Sequence, residues 1–196
     1  MARKPQQTRA KATVDAIVQA GLELVSEHGV GFLSTAKIAR RAGVSVGSLY
    51  EYFDNKEQII HAATGRIATE AIATIQPWGP ELIALPPRMA VYELLTRMRA
   101  FVERDEGLYL NYIRNVMASG QPLELDSMKI ALRDLGLRYV MAQPQMLKVE
   151  NLQAKLYVMI TGGIVSYLSF LADPAPGFSF DDLANALSDM VAANAR

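Results

Sequence analysis

Cysteine is absent from the 196 residues. That excludes a disulfide framework, thiolate nucleophiles and thiolate metal ligands, and it suits a reducing compartment. Histidine occurs only twice, at His28 and His61. Neither has the Cys, His or carboxylate neighbours of a metal site, and no nucleophile motif is present. The chain is therefore expected not to be an enzyme and to need neither metal nor cofactor. Long apolar runs are also scarce. The longest uncharged stretch, Leu156 to Ala172, holds two Gly, two Ser, one Thr and two Tyr in seventeen residues. This is short and polar for a membrane span and reads as a buried or interfacial helix. The N-terminus is basic without an apolar core, so no secretory signal is expected and a cytoplasmic location follows. Strand-type alternation is rare, whereas 3.6-residue periodicity runs almost end to end, which predicts an all-α fold.

What is present is a globular composition, half hydrophobic and one-fifth charged, with a net charge of zero. The zero hides an asymmetry. Residues 1–50 carry seven basic side chains against three acidic ones, so the remainder is net acidic. A basic end on a neutral protein points toward a polyanion.

Helices are predicted over 9–28, 35–42, 46–53 and 56–75, then over 88–103, 106–118, 123–142, 147–172 and 180–194. Val14, Ile17, Val18, Gly21, Leu22 and Val25 give the first its buried stripe, and Gly29 ends it. Pro77, Pro80, Pro86 and Pro87 predict a loop-rich connection. Two units are expected: a three-helix basic head at 9–70, and a helical bundle at 71–196.

The informative stretch is Ser34 to Phe53. Two short helices are joined by Gly43-Val44-Ser45, which is the helix-turn-helix pattern. Ile38, Ala39 and Ala42 face inward from the first helix, Leu49 and Phe53 from the second. Gly43 suits a left-handed cap and Ser45 an N-cap. The second helix then opens with small, outward residues, Val46, Gly47 and Ser48, which let backbone approach base edges in a major groove. Tyr50 and Tyr52 offer hydroxyls beside the groove, and Lys56 begins the next helix as a phosphate anchor. For Ser34 and Thr35 capping alone is the competing role, and for Tyr50 a core position.

These residues resemble the TetR family of bacterial repressors. The match includes Thr35, Ile38-Ala39, Ala42 to Ser45, Gly47, Leu49-Tyr50, Tyr52-Phe53 and Lys56-Glu57, within roughly residues 9–65. The resemblance implies that Ser34, Thr35 and Lys37 meet phosphate or bases, that Ser45, Val46, Gly47 and Ser48 face bases, and that Tyr50, Tyr52 and Lys56 hold the backbone of double-stranded DNA. Ala36 departs from relatives that place a base-reading arginine there, so shape readout is expected to weigh more.

The resemblance also implies an effector pocket in the second unit. Candidates on apolar helix faces are Trp78, Met98, Phe101, Tyr109, Tyr112, Met117, Tyr139, Met159 and Tyr167; ordinary core packing is the competing role for each. A small-residue seam (Thr161, Gly162, Gly163, Ser166, Ser169) and the stripe Leu183, Leu187, Met190 mark the last two helices as a homodimer interface. The chain is thus expected to be a ligand-responsive DNA-binding regulator, a repressor released from a pseudo-palindromic operator. The alternative is a helical small-molecule-binding protein with non-specific DNA contacts.

Overall fold

The computed structural model describes residues 4–173 and 175–193, without the side chains of residues 1–7, 144 and 145. Arg3, Pro174 and Asn194, which figure in the sequence reading, lie outside the described residues. The described chain is all-α: α1 (Lys4–His28), α2 (Thr35–Ala42), α3 (Val46–Tyr50), α4 (Lys56–Ile75), α5 (Gly79–Ala84), α6 (Pro87–Ala118), α7 (Asp126–Ala142), α8 (Leu152–Ala172) and α9 (Phe180–Ala193), with 3-10 turns at Val30–Phe32, Gln76–Trp78 and Pro144–Lys148. It divides into two compact units. One contains the residues up to Ile67 together with Asp105–Glu124; the other contains Ala68–Arg104 and the described residues from Leu125 onward.

In the first unit the expected α1 stripe is in the core, with Ile17, Leu22 and Val25 fully buried. Gly21 has a packing reason: a Cβ there would stand 2.7 Å from a methyl of Ile59, itself fully buried on α4. The second half of α6 belongs to this unit. The Tyr112 hydroxyl donates to the Ile60 carbonyl at 2.7 Å and lies 3.0 Å from the Thr64 hydroxyl. Asn115 donates its side-chain amide to the Val25 and Ser26 carbonyls in the last turn of α1.

Two departures from the expected helices have local causes. The connection at 76–87 is not a loop. Pro77 and Pro80 stand at first-turn positions of the 3-10 turn and of α5, where a missing N–H costs nothing and the fixed φ favours helix. The helices expected at 88–103 and 106–118 form a single element, α6, but Asp105, Glu106 and Gly107 have φ of 51°, 58° and 75°.

In the second unit, Ile75, Leu82 and Leu135 are a buried centre against which Trp78, Met98 and Met128 pack. Arg97 bonds Glu81 and Glu93, and Arg88 and Tyr92 bond Asp189 and Asp181 of α9. α8 is different. By length and mean hydropathy (1.4) it is apolar enough to cross a membrane, yet only 11% of that stretch is buried within the chain.

Two buried hydroxyls in this unit, Tyr167 Oη and Ser188 Oγ, have no hydrogen-bond partner among the described residues. Ser188 is fully enclosed. An unmatched buried hydroxyl costs more than it returns, so Ser188→Ala is expected to raise stability by about 1 kcal/mol. Denaturant midpoints at constant m-value check this; a loss of similar size would mean that the hydroxyl has a partner in solution.

Candidate nucleic-acid interface

The turn between α2 and α3 is built by its caps. Ser34 Oγ accepts from the Lys37 N–H at 3.3 Å, closing the start of α2. Gly43 ends α2 at φ 69°, ψ 28°, with its N–H on the Arg40 and Ala39 carbonyls. Ser45 Oγ accepts from the Ser48 N–H at 2.9 Å and its hydroxyl lies 2.9 Å from Ser48 Oγ. Ile38 and Leu49, fully buried, and Ala39, 1% exposed, lock the two short helices to α1. The chain therefore spends its apolar residues inward and leaves the outer face of α3 bare.

That outer face is Val46, 41% exposed, Gly47, and Tyr50, 52% exposed, with half-buried Ser48 beside them. A Cβ on Gly47 would meet only Ser45 Oγ, at 3.8 Å. Thr35 at the start of α2 hydrogen-bonds Tyr50 across the turn, hydroxyl to hydroxyl at 3.1 Å. Tyr50 thus contributes a rigid edge rather than a core side chain. Tyr52 is exposed in the turn after α3.

The two lysines of the expected set bend back onto the 3-10 turn. Lys37 Nζ donates to the Phe32 carbonyl at 2.9 Å and sits 3.2 Å from the centre of the Phe32 ring. Lys56 Nζ donates to the Leu33 carbonyl at 3.3 Å. Both ammoniums are held at the rim by neutral carbonyls, so neither charge is cancelled. Asn55, missed in the sequence, caps α4 by accepting from the Gln58 N–H at 2.9 Å; the Asp-Asn-x-x-Gln spacing was the available signal. Arg41, by contrast, is committed to the protein. It bonds Glu23 and Glu27, and the hydrogen bond to Arg41 holds the Glu27 carboxyl below its ordinary range. It is a strut between α1 and α2.

The nine pocket candidates do not fall in one unit. Tyr109, Tyr112 and Met117 lie in the first; Trp78, Met98, Phe101, Tyr139, Met159 and Tyr167 lie in the second. Tyr112 is fully enclosed with its hydroxyl bonded, and burial pushes its pKa up to about 12. Tyr139 donates to the Leu85 carbonyl at 2.7 Å. A groove of about 330 Å³ opens elsewhere in the second unit, lined by Ile72 and Ile75 from α4, by Gln76 of the 3-10 turn that follows it, and by Ser127, Ile130, Ala131, Asp134, Leu135 and Arg138 from α7. None of the nine candidates lines it. No cluster of three or more His, Cys, Asp or Glu able to hold a metal occurs among the described residues.

The described residues thus hold a capped helix-turn-helix whose α3 leaves a bare outer face, with Lys37 and Lys56 nearby. Residues 17–63 match the family "Bacterial regulatory proteins, tetR family", and over this segment the chain is similar to that family. Among curated proteins, the uncharacterized HTH-type transcriptional regulator YvdT of Bacillus subtilis is 33% identical over 72 residues, which is 37% of this chain and 36% of that protein. A Mycobacterium bovis regulator of the same description is 33% identical over 86 residues, 44% of each chain. The chain thus spans less than half the length of the curated relatives it matches. Solved structures share the fold over nearly all of it. A putative TetR-family regulator from Mesorhizobium loti has a TM-score of 0.69 at 15% identity, covering 94% of this chain and 96% of that one. SmeT, the repressor of a Stenotrophomonas maltophilia multidrug efflux pump, has 0.67 at 17%, covering 94% and 90%. RolR in complex with resorcinol has 0.68 at 18%, covering 96% and 93%.

Proposed function

We propose that the protein is a homodimeric transcriptional repressor that reads a pseudo-palindromic operator and is released from it by a small-molecule effector. The observation that carries the DNA-binding half is the outer face of α3: small, exposed, rigidly capped, and flanked by Lys37, Tyr50, Tyr52 and Lys56. Ser34, Thr35 and Ser45 cap the two helices while keeping their oxygens at the same rim. In this reading residues 9–70 act as the DNA-binding domain and residues 71–196 as the ligand and dimerisation domain.

Dimerisation is supported by the bare apolar faces of the last two helices. Tyr157, Val158 and Val165 on α8 and Met190 on α9 are 54–69% exposed, and nothing crowds Gly162 or Gly163. A second copy laying the same pair of helices against them makes a four-helix seam. Two α3 helices then enter successive major grooves about 34–36 Å apart. Effector binding is supported by the relatives, since one of them holds resorcinol. The second unit offers its α4–α7 groove and the half-buried Met and Tyr side chains as places for one.

Selection of binders from random duplexes tests the reading directly. A two-fold-symmetric motif is expected, and its absence would overturn the proposal. Within that motif, Lys56→Ala is expected to weaken binding evenly across sequences and to reduce the salt slope by about one. Changes at Val46 or Ser48 should instead alter base preference. If Lys56→Ala changed preference, the assignment of Lys56 to phosphate would be wrong.

A further inference from the structure

Phe32 is a large apolar residue outside the core. Its neighbours Val30 and Leu33 are buried and hold the 3-10 turn to the first unit, while Phe32 itself is 39% exposed. Core packing therefore does not account for an aromatic side chain at this position. Its contacts give it another task. The Lys37 ammonium lies 3.2 Å from the centre of the ring and donates to the Phe32 carbonyl at 2.9 Å. One residue thus holds that cation through both its side chain and its backbone. The ring is itself held: His28, at the end of α1, packs against it with ring centres 4.4 Å apart and planes at 52°. The next carbonyl, Leu33, accepts from Lys56 at 3.3 Å, so two ammoniums are seated on consecutive carbonyls. Glu23 and Glu27, the acidic side chains near the end of α1, are bonded to Arg41 instead. Neither group that holds Lys37 is anionic, so its charge stays available, and the bond to the Phe32 carbonyl uses one of its three N–H donors.

We propose that Phe32 is a positioning residue for DNA binding: its ring and carbonyl seat Lys37, before DNA arrives, where the ammonium meets a backbone phosphate. The phosphate contact rests on the regulator reading above; the hold on Lys37 does not. The gain is in preorganisation. A free lysine side chain samples many rotamers, and a phosphate contact has to freeze them at a cost to affinity. A lysine that is already seated loses little on binding. An aromatic ring suits this task better than a carboxylate. A carboxylate would fix the side chain equally well but cancel the charge that the phosphate needs.

Phe32→Leu removes the ring but keeps an apolar side chain and the carbonyl, and at this exposed site the variant is expected to melt close to wild type. In the free full chain the ring current moves the Lys37 Cε protons upfield. That displacement is expected to vanish in Phe32→Leu and to persist in Phe32→Tyr. Duplex affinity is then measured for wild type, Phe32→Leu, Lys37→Gln and the double variant. Both the selected duplex and a random-sequence duplex are used, since a phosphate contact carries no sequence information. Phe32→Leu is expected to lower affinity about threefold to fivefold on both, the worth of an exposed cation–π contact. Lys37→Gln is expected to reduce the salt slope by about one. In the Lys37→Gln background Phe32→Leu should cost nothing further, a result that a merely structural role for Phe32 would not produce. Equal losses in both backgrounds, a gain in affinity, or a wild-type Lys37 without the upfield displacement overturn the proposal. If selection returns no motif, the operator reading fails, while the random duplex still judges Phe32.

Discussion

Gly47→Glu is expected to reduce operator affinity by at least about 100-fold while leaving the fold unchanged. The two halves of that expectation come from different features of the same residue. Gly47 is exposed in the first turn of α3, and a side chain there has open space ahead of it. It also has a negative φ, so no conformational penalty attaches to losing glycine. A carboxylate in the first turn of a helix is, if anything, favoured by the unpaired N–H groups there. Stability should therefore stay within about 0.5 kcal/mol of wild type. In the proposed complex, however, the same carboxylate enters a groove walled by phosphates, where like-charge juxtaposition costs several kcal/mol. Fluorescence anisotropy against the selected duplex, beside thermal melts of the free protein, separates the two effects. Gly47→Ser supplies the steric control, expected to bind within about tenfold of wild type. A Gly47→Glu protein that melts normally and binds normally would remove the first turn of α3 from the interface.

The outer face of α3 was legible because its local chemistry is almost all in its caps. Ser34, Gly43 and Ser45 each have a backbone task that few residue types perform, and the structure has each one doing it. The inward residues Ile38, Ala39 and Leu49 followed from periodicity alone. The bundle was read less well, because there the same residue types serve several tasks. Tyr112 and Tyr167 look alike in sequence, yet one hydroxyl is bonded twice and the other has no partner. Arg41 could not be told from a groove-facing arginine until Glu23 and Glu27, eighteen and fourteen residues earlier, came beside it. Prolines at 77 and 80 read as helix breakers, though each occupies a first-turn position where proline initiates. The positive φ values within α6 had the weakest signal of all, since nothing about Asp105 or Glu106 announces them.

Tyr112, buried on α6, supplies the largest expected loss of stability. Tyr112→Ala should destabilise the first unit by about 3–5 kcal/mol, since it empties a fully enclosed aromatic site and removes the hydroxyl that Ile60 and Thr64 share. Tyr112→Phe isolates the hydroxyl. At pH 8 it is expected to cost about 1 kcal/mol, the net worth of one buried hydrogen bond. Its alkaline behaviour is more telling. Burial raises the Tyr112 pKa to about 12, whereas the unfolded tyrosine ionises near its ordinary value of 10.0. Below pH 10 both states hold the proton and the contribution to stability is whole. As pH climbs from about 10 to 12, the unfolded chain releases its proton first, and about 3 kcal/mol of stability drains away. Phenylalanine has no proton to release. The wild-type and Tyr112→Phe stability curves should therefore cross, with wild type the more stable at pH 8 and the variant the more stable approaching pH 12. Denaturant titrations across that range measure the crossing; parallel curves would mean that the phenol is reached by water in solution. The crossing matters beyond stability, because Tyr112 fastens the second half of α6 to α4, the helix that begins at Lys56. A protein that loses this fastening keeps its α3 face and its caps, and loses the fixed frame that carries them.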